Sequence, residues 1–203
     1  MARHPAVCRK AEELGYAVRG VYYEELMVCR RGHPNDHALA CIHATWAAGG
    51  TVLPDRLGLM PIAYARLRYH HFPGTRVGFA TGRYGGGIDP RRRPECEDLR
   101  ALLLRHRAGR DESEEWMAEI LAAGCMGGDH LWQDLGLWSR QDLSNLFRHN
   151  FPALVKKNVG DMKWKKFLYR QLCLQAAIDV CRAPSCEVCQ GYAECFGPEE
   201  GNP

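Results

Sequence analysis

The chain has 203 residues, 46% of them hydrophobic, and a formal net charge of +3. That is enough apolar material for a real core and speaks against compositional disorder. The charge is too small to name a partner, because nucleic-acid binders concentrate basic residues on one face. The first fifteen residues include Arg3, His4, Arg9, Lys10, Glu12 and Glu13, with no apolar stretch of the kind a secretory signal needs. No run approaches the roughly 18 apolar residues of a membrane span. A cytoplasmic protein with no membrane or nucleic-acid partner is expected.

In chain order, Tyr16 to Val28 offers the best strand candidate, a weak one. Asn35 or Asp36 is placed to cap a helix through Leu39, Ile42 and Trp46 that ends at Gly49-Gly50. Pro61 suits the first turn of a helix that stops near Phe72-Pro73-Gly74. Asp98 opens a helix through Leu99, Leu102, Leu103 and His106. Asp111 or Ser113 precedes one through Trp116, Met117, Ile120 and Leu121, ending near Gly124. Ser139 with Asp142 three residues on is a capping-box signal for Leu143, Leu146 and Phe147. Asp161 is placed to cap a last helix through Phe167, Leu168, Leu172, Ala176 and Val180, whose apolar spacing is helical. The expectation is a mainly α fold: a helical bundle-like domain with a C-terminal cysteine-rich metal-binding tail. By composition the chain divides into an N-terminal helical region (1–73), a Gly/Pro/Arg-rich loop or linker (74–97), a C-terminal helical region (98–180) and the tail (181–199).

Ten cysteines in a reducing compartment point to metal rather than to disulfides. Six of them (Cys8, Cys29, Cys41, Cys96, Cys125 and Cys173) have no ligand spacing and read as small buried hydrophobes. The other four, Cys181, Cys186, Cys189 and Cys195, form C-x4-C-x2-C-x5-C. Four thiolates in one compact run suit an iron–sulfur cluster. Structural zinc, which more often takes two close pairs across a longer spacer, is the alternative. Upstream, Lys156, Lys157, Lys163, Lys165, Lys166 and Arg170 stand against Asp161 alone. Such a stripe would favour an anionic cluster, and Lys163, Lys165, Lys166 and Arg170 are candidates to bind an oxyanion such as molybdate or an acidic partner, unless the stripe is simply a solvated face. His130 is a possible further metal ligand or a structural histidine; His106 and His149 are weaker candidates. His70 and His71 are adjacent on one helix and point about 100° apart, so they would not chelate together. Trp116, Trp132, Trp138 and Trp164 read as core. No catalytic nucleophile or paired carboxylates can be assigned, and no enzyme activity is expected.

The segments Asn150-Phe-Pro-Ala-Leu-Val-Lys-Lys-Asn158, Asp161-Met-Lys-Trp-Lys-Lys-Phe-Leu-Tyr-Arg-Gln-Leu-Cys173, the tail ending Cys195-Phe-Gly-Pro-Glu199, and Met126-Gly-Gly-Asp-His-Leu-Trp-Gln-Asp-Leu-Gly-Leu137 together resemble the NifQ family of nitrogen-fixation accessory proteins. Leu57-Gly-Leu and His71-Phe-Pro are similar more loosely, and the four-cysteine spacing follows the family pattern. The resemblance implies a molybdenum–iron–sulfur cluster, of MoFe3S4 type, that supplies molybdenum for the iron–molybdenum cofactor of nitrogenase. The implied recipients are the nitrogenase iron protein and the NifEN scaffold, with molybdate or another molybdenum source upstream. Without the resemblance, a zinc-stabilised interaction protein or a simple iron–sulfur electron carrier fits the same residues.

Overall fold

The computed structural model describes residues 5–77 and 87–175. Cys181, Cys186, Cys189 and Cys195, with the expected helical residues Ala176 and Val180, lie outside the described residues. The described residues form α-helices joined by short loops and 3-10 turns, with no strand among them. No described helix is long and apolar enough to cross a membrane.

The first element corrects the expected strand, because Tyr16–Val28 belongs to helix α1 (Pro5–Val28). Tyr22, Tyr23, Leu26 and Met27 all reach the core, and their i, i+1, i+4, i+5 spacing is one face of a helix. Val18, Val21 and Val28 raise the local β propensity, and packing of α1 on helix α2 (Asp36–Ala47) overrides it. Helix α3 (Pro61–His71) starts on its proline and stops at Phe72, as expected.

Helix α4 (Arg93–Arg105) begins five residues before Asp98. Pro94 in its first turn lacks an N–H that would have had no helical partner anyway. Helix α5 (Ser113–Gly124) matches the expectation, and Asp111 accepts from the Ser113 N–H at 2.7 Å. Two short helices were not anticipated, α6 (Leu131–Leu135) and α8 (Pro152–Lys157). Between them, α7 (Arg140–Asn150) starts at Ser139, whose hydroxyl accepts from the Asp142 N–H at 3.1 Å.

The last described helix, α9 (Trp164–Gln175), corrects the expected cap. Asp161 does not cap it; it turns at φ 49° and pairs with Arg140 at 3.2 Å. Asn158 sets this turn instead, because its side chain accepts from the Met162 N–H and donates to the Met162 carbonyl, both at 2.9 Å.

Helices α2 and α5 are buried along most of their length. Helix α1 and α7 pack on α2, while α3, α4 and α6 pack on α5. One apolar cluster runs from Leu26 to Leu168, so helices on either side of residues 74–97 fill the same core. At the start of α2, Asn35 and Asn150 exchange amide hydrogen bonds at 2.8 Å, and Asn35 also donates to Ser113 at 2.9 Å. That network joins the starts of α2 and α5 to the end of α7. Buried side-chain amides demand such partners, so their pairing fixes the helix register.

Helix α9 lies on α4. Arg92 holds the junction: its guanidinium bonds the Glu95 carboxylate at 2.6 and 2.9 Å, the Met126 carbonyl at 2.6 Å and the Tyr169 hydroxyl at 3.3 Å. Tyr169 in turn donates to Glu95. At the start of α9, Trp164 stacks flat on Phe147 with ring centroids 3.6 Å apart. The start and the middle of the helix that precedes the cysteines are therefore anchored.

Candidate functional site

The segment Met126 to Leu137 builds the surface on which α9 begins. Helix α6 inserts Leu131 and Leu135 into the core and, between them, buries the carboxylate of Asp134. Asp134 accepts from the Asp129 N–H at 3.1 Å and forms an ion pair with Lys165 of α9. Lys165 also donates to the Gly127 carbonyl at 3.1 Å. Burial pushes the Asp134 carboxyl above the usual value and Lys165 opposes that shift, so the pair holds only as a pair. Gly127 is required here. A Cβ on it would sit 2.4 Å from the Asp134 carboxylate. Gly136 ends α6 at φ +80°, and a Cβ there would meet Thr51 at 2.5 Å and Thr45 at 2.7 Å.

Beside this pair, Gly128, Asp129, His130, Leu131, Lys163, Trp164, Lys165 and Lys166 line a cavity of about 320 Å³. His130 and three of the four predicted cations thus share one pocket; Arg170, exposed and farther along α9, lines none of it. His130 is half-buried at the N-cap position of α6, and its backbone N–H donates to Gln133 Oε1 at 3.3 Å. Lys165 is held by Asp134, and Lys163 and Lys166 line the cavity beside it. The Asp129 side chain lines the same wall and lowers the net positive charge.

Spacing did not single out Asp134. A carboxylate within the apolar Leu131-Trp132-Gln133-Asp134-Leu135 run was the available signal, since such a group needs a buried partner.

Of the other cysteines, Cys41 and Cys125 are buried, Cys29, Cys96 and Cys173 half-buried, and Cys8 falls where only backbone is described. Burial pushes the Cys41 and Cys125 thiols up to about 12. They stay protonated, and metals bind the thiolate. His106 is occupied, with Nδ1 at 2.9 Å from the Leu102 carbonyl and Nε2 at 2.9 Å from Lys157. The described structure gives His149 no role at the cavity. Trp116 and Trp164 are buried, and Trp132 and Trp138 pack against the core from its edge.

Residues 38–197 match the family profile described as NifQ. The chain belongs to the NifQ family. Protein NifQ of Azotobacter vinelandii is 48% identical over 161 residues, covering 74% of this chain and 82% of that protein. Protein NifQ of Rhodobacter capsulatus is 38% identical over 156 residues, 75% of this chain and 82% of the relative. That of Klebsiella pneumoniae is 36% identical over 165 residues, 73% and 90% of the two chains. No solved structure matches. The family is tied to nitrogen fixation. Its match begins inside α2, leaves out α1, and runs through α9 and all four tail cysteines. The Gly127–Asp134–Lys165 arrangement lies wholly inside it.

Proposed function

We propose that this chain carries a molybdenum–iron–sulfur cluster of MoFe3S4 type as cargo on Cys181, Cys186, Cys189 and Cys195, and donates molybdenum for synthesis of the nitrogenase iron–molybdenum cofactor. The observation that carries this reading is membership of the NifQ family over a stretch that contains all four cysteines at C-x4-C-x2-C-x5-C spacing. Thiolates are the donor set that suits an iron–sulfur core. Three cysteines hold iron, and molybdenum occupies a more labile corner from which it can be passed on. The protein acts in the cytoplasm as a carrier without turnover, with the nitrogenase iron protein and the NifEN scaffold as recipients.

The anchored α9 supports a division of labour. Its C-terminal end leads into the cysteines, and its N-terminal end presents Lys163 and Lys166 beside His130. Those two cations attract molybdate or an acidic partner, while Lys165, paired with Asp134, fixes the helix. His130 is within the same cavity as a candidate oxyanion or metal contact.

The test is anaerobic purification with iron, molybdenum, zinc and acid-labile sulfide measured on one sample, for the parent and for four single Cys→Ala variants. Iron, sulfide and molybdenum in the parent, reduced in each variant, is the expected result. Iron and sulfide without molybdenum, even after molybdate feeding, would identify a plain iron–sulfur carrier. Zinc without sulfide, or full metal in all four variants, would overturn the assignment.

A further inference from the structure

We propose that His33, His70 and Asp111 form a second metal site, for a divalent first-row transition ion of borderline softness such as Zn²⁺ or Fe²⁺. The three residues are 37 and 41 positions apart, so no motif announces them. The fold brings a ring nitrogen of each histidine and a carboxylate oxygen of Asp111 within 4.8 Å of one another. The two imidazoles lie face to face, with centroids 4.1 Å apart and planes 20° apart.

The decisive distance is from His70 Nε2 to Asp111 Oδ2, at 3.5 Å. That nitrogen is buried and has no hydrogen-bond partner. A separation of 3.5 Å is too long for a good N–H···O bond. It is the spacing expected of two ligands on one ion: tetrahedral bonds of about 2.1 Å place neighbouring ligand atoms about 3.4 Å apart. His33, half-buried on a loop, turns its ring out of the stack to aim a nitrogen at the same ion.

The supporting shell is already built. The buried Asp36 carboxylate accepts from the Gly32 and His33 N–H groups at 2.7 and 2.8 Å through Oδ2. Its Oδ1 lies 2.7 Å from His71 Nδ1. One carboxylate therefore ties the loop bearing His33 to the helix end bearing His70. The Arg31 N–H donates to the His71 carbonyl at 3.1 Å and closes the same junction. Asp111 commits Oδ1 to the Ser113 N–H, which leaves Oδ2 for the site. The Trp116 ring meets His70 edge-on at 5.6 Å and backs the cluster. Hydrogen bonds to the backbone and side chains that carry the ligands set ligand orientation. Three protein ligands leave a coordination position for water or an incoming donor, as in exchangeable and catalytic sites.

Full-length protein freed of metal by chelator dialysis would be titrated with Co²⁺. Its visible ligand-field bands report nitrogen and oxygen ligands, and a sulfur-to-metal charge-transfer band reports thiolates. The expected result is one equivalent bound without the sulfur band, alongside any thiolate-bound cobalt. His33→Gln and Asp111→Asn should each weaken that equivalent at least about tenfold and leave the sulfur band unchanged. Circular dichroism checks folding; His33→Gln, on a half-buried loop, decides the matter if Asp111→Asn disturbs the start of α5. Absence of the sulfur-free equivalent in the parent, or unchanged affinity in the folded variants, would overturn the site. A sulfur-free equivalent without any sulfur band would support this site and count against the cysteine assignment, so the two readings fail separately.

Discussion

Replacing Asp134 by Asn removes one charge from the pair that locks α9 to α6. The Asp134 side chain is 1% exposed and that of Lys165 17%. Breaking a buried pair costs about 3–5 kcal/mol, because the remaining charge is left without its partner. Lys165 keeps some contact with water and the Gly127 carbonyl, so the low end applies, about 3 kcal/mol. For a domain of this size that is a fall in Tm of roughly 6–12 °C. The loss comes from the stranded ammonium rather than from lost packing. The double variant Asp134→Asn/Lys165→Met should therefore return to within about 1 kcal/mol of the parent. Urea unfolding followed by tryptophan fluorescence measures both, since Trp132 and Trp164 flank the pair in sequence; the slope with denaturant should stay constant. A loss below about 1 kcal/mol in the single variant, or a double variant no more stable than the single, would refute the reasoning.

Stability should also fall on mild acidification. Burial holds His43 down to about 3 and His71 down to about 4, against an ordinary 6.5. Between those values and 6.5 the unfolded chain takes up protons that the native state refuses, so stability declines as pH drops through that window, by up to about 1.4 kcal/mol per pH unit for each histidine. Urea midpoints that stay level from about pH 7 to about pH 5 would show that these two rings do not stay neutral in the fold. On the proposed donor surface, Lys163→Glu/Lys166→Glu should slow molybdenum transfer to the scaffold several-fold; unchanged molybdenum in the purified variant would assign the two cations to the partner, and reduced molybdenum to molybdate. Equal transfer rates would remove the docking role. Lys165 is left out of that pair of changes, since reversing it would place two carboxylates together in a buried site.

The helices with a terminal signal could be read locally. Pro61 and Ser139 marked the starts of α3 and α7 because a proline in the first turn and a serine accepting at the third residue satisfy helix ends from nearby sequence alone. The valines and tyrosines of α1 favour strand locally, and only its packing on α2 selects the helical face. The start of α9 is likewise set by contacts beyond the local sequence. Asp161 looks like a cap, yet the Asn158 clasp and the bond to Arg140 put it in a turn.

The four-cysteine run and the family were legible in the sequence, because cysteine spacing within fifteen residues and family segments are local patterns. The tertiary structure alone decided which lysine the buried carboxylate takes. Lys165 stands between two other lysines in the sequence and is neutralised by a carboxylate 31 residues away. His33, His70 and Asp111 carry no shared motif and meet because Asp36 fastens the loop before α2 to the end of α3 and α5 packs on α3. Long-range pairing of buried polar groups depends on where the helices dock, which one-dimensional spacing does not encode.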